Sequence, residues 1–485
     1  MSALQDIKDI LRGALASLGG FGGRMVARLA LMVIAGQLYG ASAVGLLGQV
    51  AAITEIMAAV AVLGLKRSLL DMMSAKTANG NASSIAKAAL ISSLILASFM
   101  SFILGLIWPL LFHDTPMPAL LYLAVPCIVF AEVGGTAIRF LRIIRWEVIA
   151  RSILEPWTFF LAALFLFWGG STETGLLAAY AISAVGAATG IAIGLQRAFG
   201  WKGLLTANLD VRSLYRIPVQ SFPVGVTDIG IMMFRRIDIL VLSLVVGHQA
   251  TGIYYMAQQI VTVPHKTYQL FEPMMSPVLA KLHHADDRAL ISAKLAAFCR
   301  WIFTLQLALT IPFVIFSGEL LGLFGDQFAA GAMVLAVLLI AELLDGSFAL
   351  GETALVFAKP SLPPRLILGA LTIEVVSIYL FASLWGASGA AVGFFLSVTW
   401  LAAARLFMLQ KHLSIRILSR AFLPPSLFGS LIAGFLLIVR QFVPMDEFAV
   451  FGPATVISVI LFLAMVRMMA LTPADKSILT QLRSG

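Results

Sequence analysis

Apolar residues occur along this chain in long runs separated by short polar stretches. A helix needs about 20 residues to cross roughly 30 Å of hydrocarbon, and each run approaches or exceeds that length. A segment in lipid must satisfy its own backbone hydrogen bonds, so the pattern predicts an all-α polytopic membrane protein. Fourteen transmembrane segments are predicted, at 15–39, 43–64, 85–112, 117–138, 147–168, 174–196, 217–247, 250–280, 295–317, 327–357, 364–384, 387–409, 421–440 and 447–470.

Composition agrees with the pattern. The 485 residues are 60% hydrophobic and 12% charged, which excludes an ordinary soluble domain. Cys127 and Cys299 both fall inside apolar runs, so no disulfide framework is expected. The histidines and cysteines lack metal-ligand spacing and no nucleotide-binding motif is present, so neither a metal nor a cofactor is predicted.

The basic residues behind the net charge of +9 lie mainly in alternate loops of the predicted topology. Positive loops mark the cytoplasmic side of a membrane protein, so both termini are predicted to be cytoplasmic and a nucleic-acid partner is not expected. Residues 1–18 carry charges between helically spaced leucines and predict an interfacial amphipathic helix, not a cleaved signal. The basic residues concentrate in alternate loops, at 66–87, 139–145, 197–216, 281–294, 359–365 and 411–420.

The chain contains an internal repeat. Residues 23–53 align without gaps with residues 230–260, which places Arg28 on Arg235 and Gly40 on Gly247. Phe112 and Asp114 recur as Phe324 and Asp326 at a nearly equal offset. We therefore predict two parallel six-helix lobes, 1–205 and 206–415, followed by two further segments and a cytoplasmic tail in 416–485.

Arginines interrupt the opening helix of each lobe. Arg235 lies twelve residues before the outer turn, roughly 18 Å deep and near the membrane midplane. A charge there costs a few kcal/mol and marks a transport pathway. Arg24 shares a helical face with Arg28 but is close enough to the inner interface to snorkel. Arg236 points about 100° away from Arg235, so one of the two is expected to face a cavity.

Arg235 has a second interpretation. Asp238 and Asp228 lie on its helical face and would neutralise it as a structural ion pair. The repeat match to Arg28 favours the functional interpretation. Both remain open at the level of sequence.

A polar stripe follows the eighth segment. Tyr255, Gln259, Thr262, Lys266 and Gln269 recur at spacings of three and four. Such a stripe lines water or binds sugar hydroxyls. Hydrogen bonds between helices would explain its glutamines and threonine but not its lysine.

Carboxylates at membrane depth are candidates for proton or sodium coupling, and equally for counter-ions of the arginines. Glu132 and Glu342 each lie fifteen residues into the fourth segment of their lobe. Arg151 precedes Glu155 by four residues, so a helix would place the two on one face. The candidate carboxylates are Glu55, Glu132, Asp238, Glu342, Asp345 and Glu374.

Three stretches carry a family resemblance: RRIDILVLSLVVGHQATGIYYMAQQIV at 235–261, EPMMSPVLAKLHHADDRAL at 272–290 and LLGLFGDQFAAGAMVLAVLLIAELL at 320–344. Together they resemble the polysaccharide flippase branch of the multidrug/oligosaccharidyl-lipid/polysaccharide (MOP) exporter superfamily, which includes the O-antigen flippases. The resemblance implies a V-shaped bundle of two lobes around a central cavity that works by alternating access.

The resemblance also implies a substrate and a place in the cell. The substrate would be an undecaprenyl-pyrophosphate-linked oligosaccharide, an O-antigen or exopolysaccharide repeat unit, moved across the bacterial inner membrane with an ion gradient. Membrane lipid and a polysaccharide polymerase or chain-length complex would be its partners. The candidate pyrophosphate and glycan ligands are Arg24, Arg28, Arg235, Arg236, Lys266, Tyr255 and Gln259.

Three alternatives stay open. A lipid II exporter and a drug exporter of the same superfamily would share the architecture, although a drug exporter is expected to have an acidic cavity. A membrane-embedded polysaccharide polymerase or ligase would need sizeable structure outside the membrane, and every predicted outward loop here is about ten residues or shorter. The sequence therefore favours a transporter over an enzyme.

Overall fold

The computed structural model describes residues 23–76, 82–112, 115–171, 174–284, 288–443 and 448–469. Every regular element in these ranges is helical, so the predicted all-α polytopic class is confirmed. The predicted amphipathic helix at 1–18 and Asp114 lie outside the described residues. The chain divides into two compact units, Met1–Leu240 and Val241–Gly485. The lobe boundaries at 205 and 415 stay a prediction.

The described residues of the first unit contain ten α-helices, a 3-10 helix at Ala119–Leu123, and π-helical turns at Ala35–Tyr39 and Ala150–Leu154. The α-helices are α1 (23–34), α2 (Gly40–Val62), α3 (Leu65–Lys76), α4 (Ala82–Leu111), α5 (Ala124–Phe140), α6 (Ile144–Ile149), α7 (Glu155–Trp168), α8 (Gly175–Phe199), α9 (Trp201–Thr206) and α10 (Val211–Phe234).

The next helix, α11 (Ile237–Val245), crosses the boundary into the second unit. The remaining helices are α12 (His248–His284), α13 (Arg288–Ile315), α14 (Ser317–Gly322), α15 (Asp326–Ala329), α16 (Ala332–Phe348), α17 (Leu350–Ala358), α18 (Leu362–Leu413), α19 (Leu423–Phe442) and α20 (Phe448–Met469).

Ten helical stretches of the described chain are long and apolar enough to span a membrane, or eleven when the bent pair α16 and α17 counts as one. Two of them, Gly23–Ser74 and Leu362–Leu413, are 52 residues long. A straight helix of that length would measure about 78 Å, so each contains two of the predicted segments. Both are broken at a glycine of positive φ, Gly40 and Gly386. The α12 stretch is absent from the ten because its polar stripe lowers its hydropathy.

The break in α18 is a hairpin. Trp385 and Gly386 leave helical φ and ψ, and the two halves of the helix then run back along each other. Ser377 Oγ donates to the Gly393 carbonyl at 3.0 Å, and Ser397 Oγ donates to the Ala370 carbonyl at 2.6 Å. These bonds join the eleventh and twelfth predicted segments through small residues that allow a close approach.

Gly389 permits the closest approach in this hairpin, and Gly389→Ala is expected to destabilise it. A Cβ there would lie 1.9 Å from the Phe381 carbonyl oxygen. Such overpacking against backbone costs about 1–3 kcal/mol of unfolding free energy, measured by thermal unfolding in detergent micelles. Gly434→Ala in α19 is the control, because nothing lies within 4 Å of its added Cβ and the helix should gain up to about 1 kcal/mol. Equal stability of the two variants would contradict the hairpin packing.

Helix α10 packs against α2, α3 and α4 in the first unit. The contact is closest where Gly225 meets the turn between α2 and α3, since a Cβ on Gly64 would lie 2.4 Å from the Gly225 nitrogen. Gly64 has φ +79°, which a side chain would strain. One turn further along α10, Arg67 pairs with Asp228 at 3.1 Å. These contacts fix the C-terminal end of α10 beside α2.

Candidate functional site

The predicted seventh segment is broken where its two arginines lie. Helix α10 ends at Phe234 and α11 begins at Ile237, so the prediction of one continuous helix over 217–247 is wrong at its centre. The amide of Arg236 donates to the Met233 carbonyl, a three-residue bond that tightens the turn. Broken helices within a membrane transporter commonly carry its binding groups.

Arg236 forms an ion pair with Glu55 of α2. Its Nε donates to Glu55 Oε2 at 2.6 Å, and the two side chains are 24% and 30% exposed. The cation is thus paired and still accessible. The Arg235 side chain is exposed. Asp238 is fully buried and its Oδ1 accepts from the Ile239 amide at 2.8 Å.

Asp228 does not serve Arg235 in the way the helical spacing predicted. It pairs with Arg67 at the start of α3, at 3.1 Å. Helical spacing relates only charges on one helix, whereas α10 directs this carboxylate toward a neighbouring helix.

On α1, Arg24 and Arg28 are both half-buried, on either side of the fully buried Ala27. Arg24 lies within electrostatic range of Glu155 at the start of α7. The first unit therefore holds Arg24 and Arg236 on helices that also meet carboxylates.

Glu132 of α5 bridges two cations. Its carboxylate contacts Lys66 at 3.1 Å and Arg151 at 2.9 Å. Arg151 was expected to share a helical face with Glu155. Arg151 lies in the π-helical turn at Ala150–Leu154 and pairs with Glu132 on the neighbouring helix, while Glu155 remains within electrostatic range of it.

In the second unit Glu342 of α16 contacts His265 of α12 at 2.8 Å. Gln306 of α13 donates to both the Pro264 carbonyl, at 3.3 Å, and Glu342, at 3.4 Å. Glu374 of α18 is fully buried. In each unit, the carboxylate on the fourth predicted segment of the lobe therefore contacts a basic side chain. In the first unit this is Lys66, just after the second segment, and in the second unit it is His265, within the second segment.

Asp345 belongs to a buried charge triad. Arg405 donates to Asp345 and to Glu352, each at 2.6 Å, and its own side chain is 7% exposed. Asp345 precedes the break between α16 and α17, and Glu352 follows it. The arginine therefore holds the two sides of a 41° bend.

The polar stripe of α12 runs through one continuous helix that includes Pro264. Gln259 is buried, and Tyr255 and Lys266 are half-buried. Lys266 Nζ donates to Gln269 Oε1 at 2.6 Å, one turn further along the stripe.

Sequence reasoning did not find several partners of these groups. The sequence presents Lys66 and Arg67 as positive-inside charges and Arg151 as a local partner of Glu155, and it does not single out His265 or Arg405. Their partners lie on other helices, at separations of 19 to 161 residues, so no spacing within one helix could reveal them. Among the described residues no group of three or more histidine, cysteine or acidic side chains could hold a metal ion.

Comparison with known families gives the identity of the chain. The sequence profile of the family described as "Polysaccharide biosynthesis protein" matches residues 10–283, more than half of the chain. This chain belongs to the polysaccharide biosynthesis protein family. The predicted relationship to the polysaccharide flippase branch of the MOP superfamily is thereby confirmed. No curated protein sequence matches this family member.

Solved structures share the fold of this polysaccharide biosynthesis protein. A structure of the lipid II flippase MurJ in an inward closed conformation is 15% identical, covers 94% of this chain and 99% of that chain, and has a TM-score of 0.72. An inward-facing multidrug resistance MATE transporter of the MOP superfamily is 16% identical, with 82% and 94% covered and a TM-score of 0.66. A MOP superfamily transporter from Pyrococcus furiosus is 16% identical, with 84% and 95% covered and a TM-score of 0.58. The chain is a multi-pass membrane protein with the MOP transporter fold.

Proposed function

We propose that this protein flips an undecaprenyl-pyrophosphate-linked oligosaccharide, an O-antigen or exopolysaccharide repeat unit, from the cytoplasmic to the periplasmic leaflet by alternating access. The observation that carries the proposal is the ion pair of Arg236 with Glu55 at a helix break inside the apolar sequence of the first unit. Membership of the polysaccharide biosynthesis family supports the glycan class of the substrate.

The chemistry of the pair suits a pyrophosphate. A guanidinium binds phosphate oxygens through two parallel hydrogen bonds, and a carboxylate can occupy the same donors when no substrate is present. Glu55 keeps Arg236 paired, which avoids the penalty of an isolated charge in a poorly solvated place. A pyrophosphate would displace Glu55 and take over its hydrogen bonds. Arg24, Arg28 and Arg235 supply further positive charge in the same unit.

The stripe on α12 suits the sugar portion. Tyr255, Gln259 and Lys266 offer donors and acceptors at successive helical turns, as a row of sugar hydroxyls would require. We assign to this stripe the binding of sugar hydroxyls.

Coupling to an ion gradient is assigned to the membrane carboxylates. Glu55 would exchange between Arg236 and a proton, and Glu132, Glu342 and Asp345 each contact a base that transport could release. Asp238 and Glu374 are the two fully buried carboxylates of the set.

The location follows from the substrate and the charge pattern. We place the protein in a bacterial inner membrane with both termini cytoplasmic, where membrane lipid and a polysaccharide polymerase or chain-length complex would be its partners. A transporter, rather than a polymerase or ligase, accounts for charges buried among spanning helices.

Lipid II is the second candidate substrate. It is favoured by the likeness to the MurJ structure, which extends over 94% of this chain at a TM-score of 0.72. Lipid II carries the same polyprenyl pyrophosphate, so the first-unit arginines would serve either molecule. A cationic drug is not favoured, because these arginines would repel it.

Liposome transport distinguishes the candidates. The purified protein is reconstituted with fluorescent lipid-pyrophosphate oligosaccharide, lipid II or a cationic dye, and substrate reaching the opposite leaflet is followed with and without an imposed ion gradient. Wild type is expected to move the oligosaccharide, and Arg28→Ala to slow it at least tenfold, about 1.4 kcal/mol of lost anion binding. Movement of lipid II alone would transfer the proposal to that substrate, and dye movement alone would overturn it.

A further inference from the structure

The carboxylates at corresponding places of the two lobes have different basic partners. In the first unit Glu132 contacts Lys66 and Arg151, side chains that stay charged at physiological pH. In the second unit Glu342 contacts the imidazole of His265, whose Nδ1 lies 2.8 Å from Glu342 Oε1. Histidine is the side chain that ordinarily gains and loses its proton near neutral pH. Of these two clusters, the one in the second unit is therefore built to change its charge.

Packing fixes the groups that face Glu342. His265 lies on α12 and Glu342 on α16, and Gln306 comes from α13, which packs against both helices. Gln306 is fully buried, and its Nε2 donates at 3.4 Å to the same Glu342 oxygen that His265 contacts. Ser347 Oγ donates to Gln306 Oε1 at 3.3 Å and so fixes which way the amide points. Gly346 leaves the space for this amide, because a Cβ there would lie 2.1 Å from Gln306 Nε2.

The imidazole is within reach of water. The side chain of His265 is 12% exposed and that of Glu342 is 14% exposed. Gln269 and Glu272 follow His265 on α12 at spacings of four and seven, so they lie on the same helical face, and both are exposed. A carboxylate and an amide are costly in lipid, so this face of α12 is expected to border water. A proton can therefore be exchanged at His265.

The donors around Glu342 suit a proton and not a sodium ion. A hard cation takes a shell of oxygen ligands, whereas nitrogen groups of His265 and Gln306 face Glu342 Oε1. The Gln306 oxygen already accepts from Ser347. A proton on the imidazole instead strengthens the existing contact into a charge-assisted hydrogen bond. It also converts a pair with a single negative charge into a neutral ion pair, which costs less among apolar helices.

The other ionisable groups of this region are of different types. Arg405 binds Asp345 and Glu352 at 2.6 Å each, and an arginine keeps its proton. The Tyr268 ring lies 6.1 Å from the His265 ring, and tyrosine ordinarily ionises far above neutral pH. The ionisable side chains in this part of α12 and of the helices packed on it include Lys266, Tyr268 and Glu272 of α12, Arg300 of α13, Asp345 of α16, Glu352 of α17, and Glu374 and Arg405 of α18.

We propose that His265, held by Glu342 and Gln306, binds the proton that drives transport, so that the coupling ion is a proton and its site is this histidine. The inference rests on the proposed function, because it names the ion for the coupling assigned above to the membrane carboxylates. The imidazole takes the proton from water on one side of the membrane and returns it to water on the other. An N–H bond forms and later breaks, and no other bond changes.

Proteoliposomes test the assignment. The purified full-length protein is reconstituted with fluorescent lipid-pyrophosphate oligosaccharide, and a proton gradient or a sodium gradient is imposed. In wild type a gradient of about one pH unit should shift the distribution of substrate between the leaflets about tenfold, since a proton crossing it supplies about 1.4 kcal/mol. A trapped pH-sensitive dye should report proton movement that accompanies flipping. His265→Gln should lose both responses, because its amide can still donate to Glu342 but exchanges no proton.

Two variants separate proton binding from a structural role. His265→Lys gives the second unit a permanently charged pair like that of Lys66 with Glu132, so it should unfold at the wild-type temperature and still fail to respond to the pH gradient. Recovery of the response in His265→Lys would reduce the pair to a structural contact and overturn the inference. His412→Gln is the matched control, because this histidine lies in the last turn of α18, and it should respond as wild type does.

The outcomes distinguish this inference from the proposed function. Flipping by wild type that follows the sodium gradient, ignores both gradients, or follows the pH gradient equally in His265→Gln would overturn the inference and leave the flippase intact. If wild type moves no lipid-linked oligosaccharide under any gradient, the proposed function fails and the inference fails with it.

Discussion

Arg236→Ala is expected to lower the rate of glycan flipping by about 10- to 150-fold at an unchanged protein level. Hydrogen bonds to a charged group contribute about 1.5–3 kcal/mol, and each 1.4 kcal/mol is a factor of ten. The guanidinium lies at the break between α10 and α11, where it is paired with Glu55 and still accessible. Transport of fluorescent lipid-pyrophosphate oligosaccharide in proteoliposomes gives the rate.

Two further variants test the donor geometry of Arg236 and the competition from Glu55 separately. Arg236→Lys keeps the positive charge but loses the planar pair of donors, and should recover only part of the rate. Glu55→Gln removes the competing carboxylate, so pyrophosphate binding should tighten while coupling to a gradient is impaired. Wild-type flipping by Arg236→Ala would remove this arginine from the anion site and reduce the pair to a structural contact.

Arg405→Ala is expected to destabilise the second unit by about 3–5 kcal/mol of unfolding free energy. Removing one member of a buried ion cluster leaves uncompensated charge, and here two carboxylates, Asp345 and Glu352, would lose their common partner. The bend between α16 and α17 would lose the contact that joins its two sides. Thermal unfolding and the yield of folded protein in detergent measure the effect.

The same helix supplies the control. Lys411→Ala removes an exposed cation from α18 and should change stability by less than about 0.5 kcal/mol. Adding Asp345→Asn and Glu352→Gln to Arg405→Ala should recover much of the loss, because the stranded charges are then neutral. An Arg405→Ala protein as stable as wild type would show that the triad does not hold the bend.

The lengths of the hydrophobic runs were sufficient to predict the fold class. A backbone segment in lipid must satisfy its own hydrogen bonds, and a run of this length does so as a helix. The fourteen predicted segments correspond to helices wherever the structure describes them, even at Leu362–Leu413, where two segments meet in a hairpin at Gly386. Such a prediction depends only on local length and hydropathy. The same prediction could not locate the helix break at Arg235 and Arg236. The residues on both sides of that break are equally apolar, so hydropathy does not change there.

Hydropathy and charge along the chain were enough to identify which residues this membrane protein holds at depth. Arg24, Arg28 and Arg236, the carboxylates and the α12 stripe stand out because a charged or polar side chain in an apolar run is costly and therefore rare. Family membership followed from three short stretches, and the profile match over 10–283 confirmed it.

Which of these groups contact one another depends on how the helices pack. Glu55 meets Arg236 across 181 residues, Glu132 meets both Lys66 and Arg151, and Asp228 meets Arg67. Helical spacing suggests partners on the same helix, such as Asp228 for Arg235, whereas Asp228 is paired with a cation of a neighbouring helix. Charges in a membrane protein are brought together by the packing of helices that are distant in sequence. That packing depends on how the helix surfaces fit together, which a local sequence pattern does not reveal.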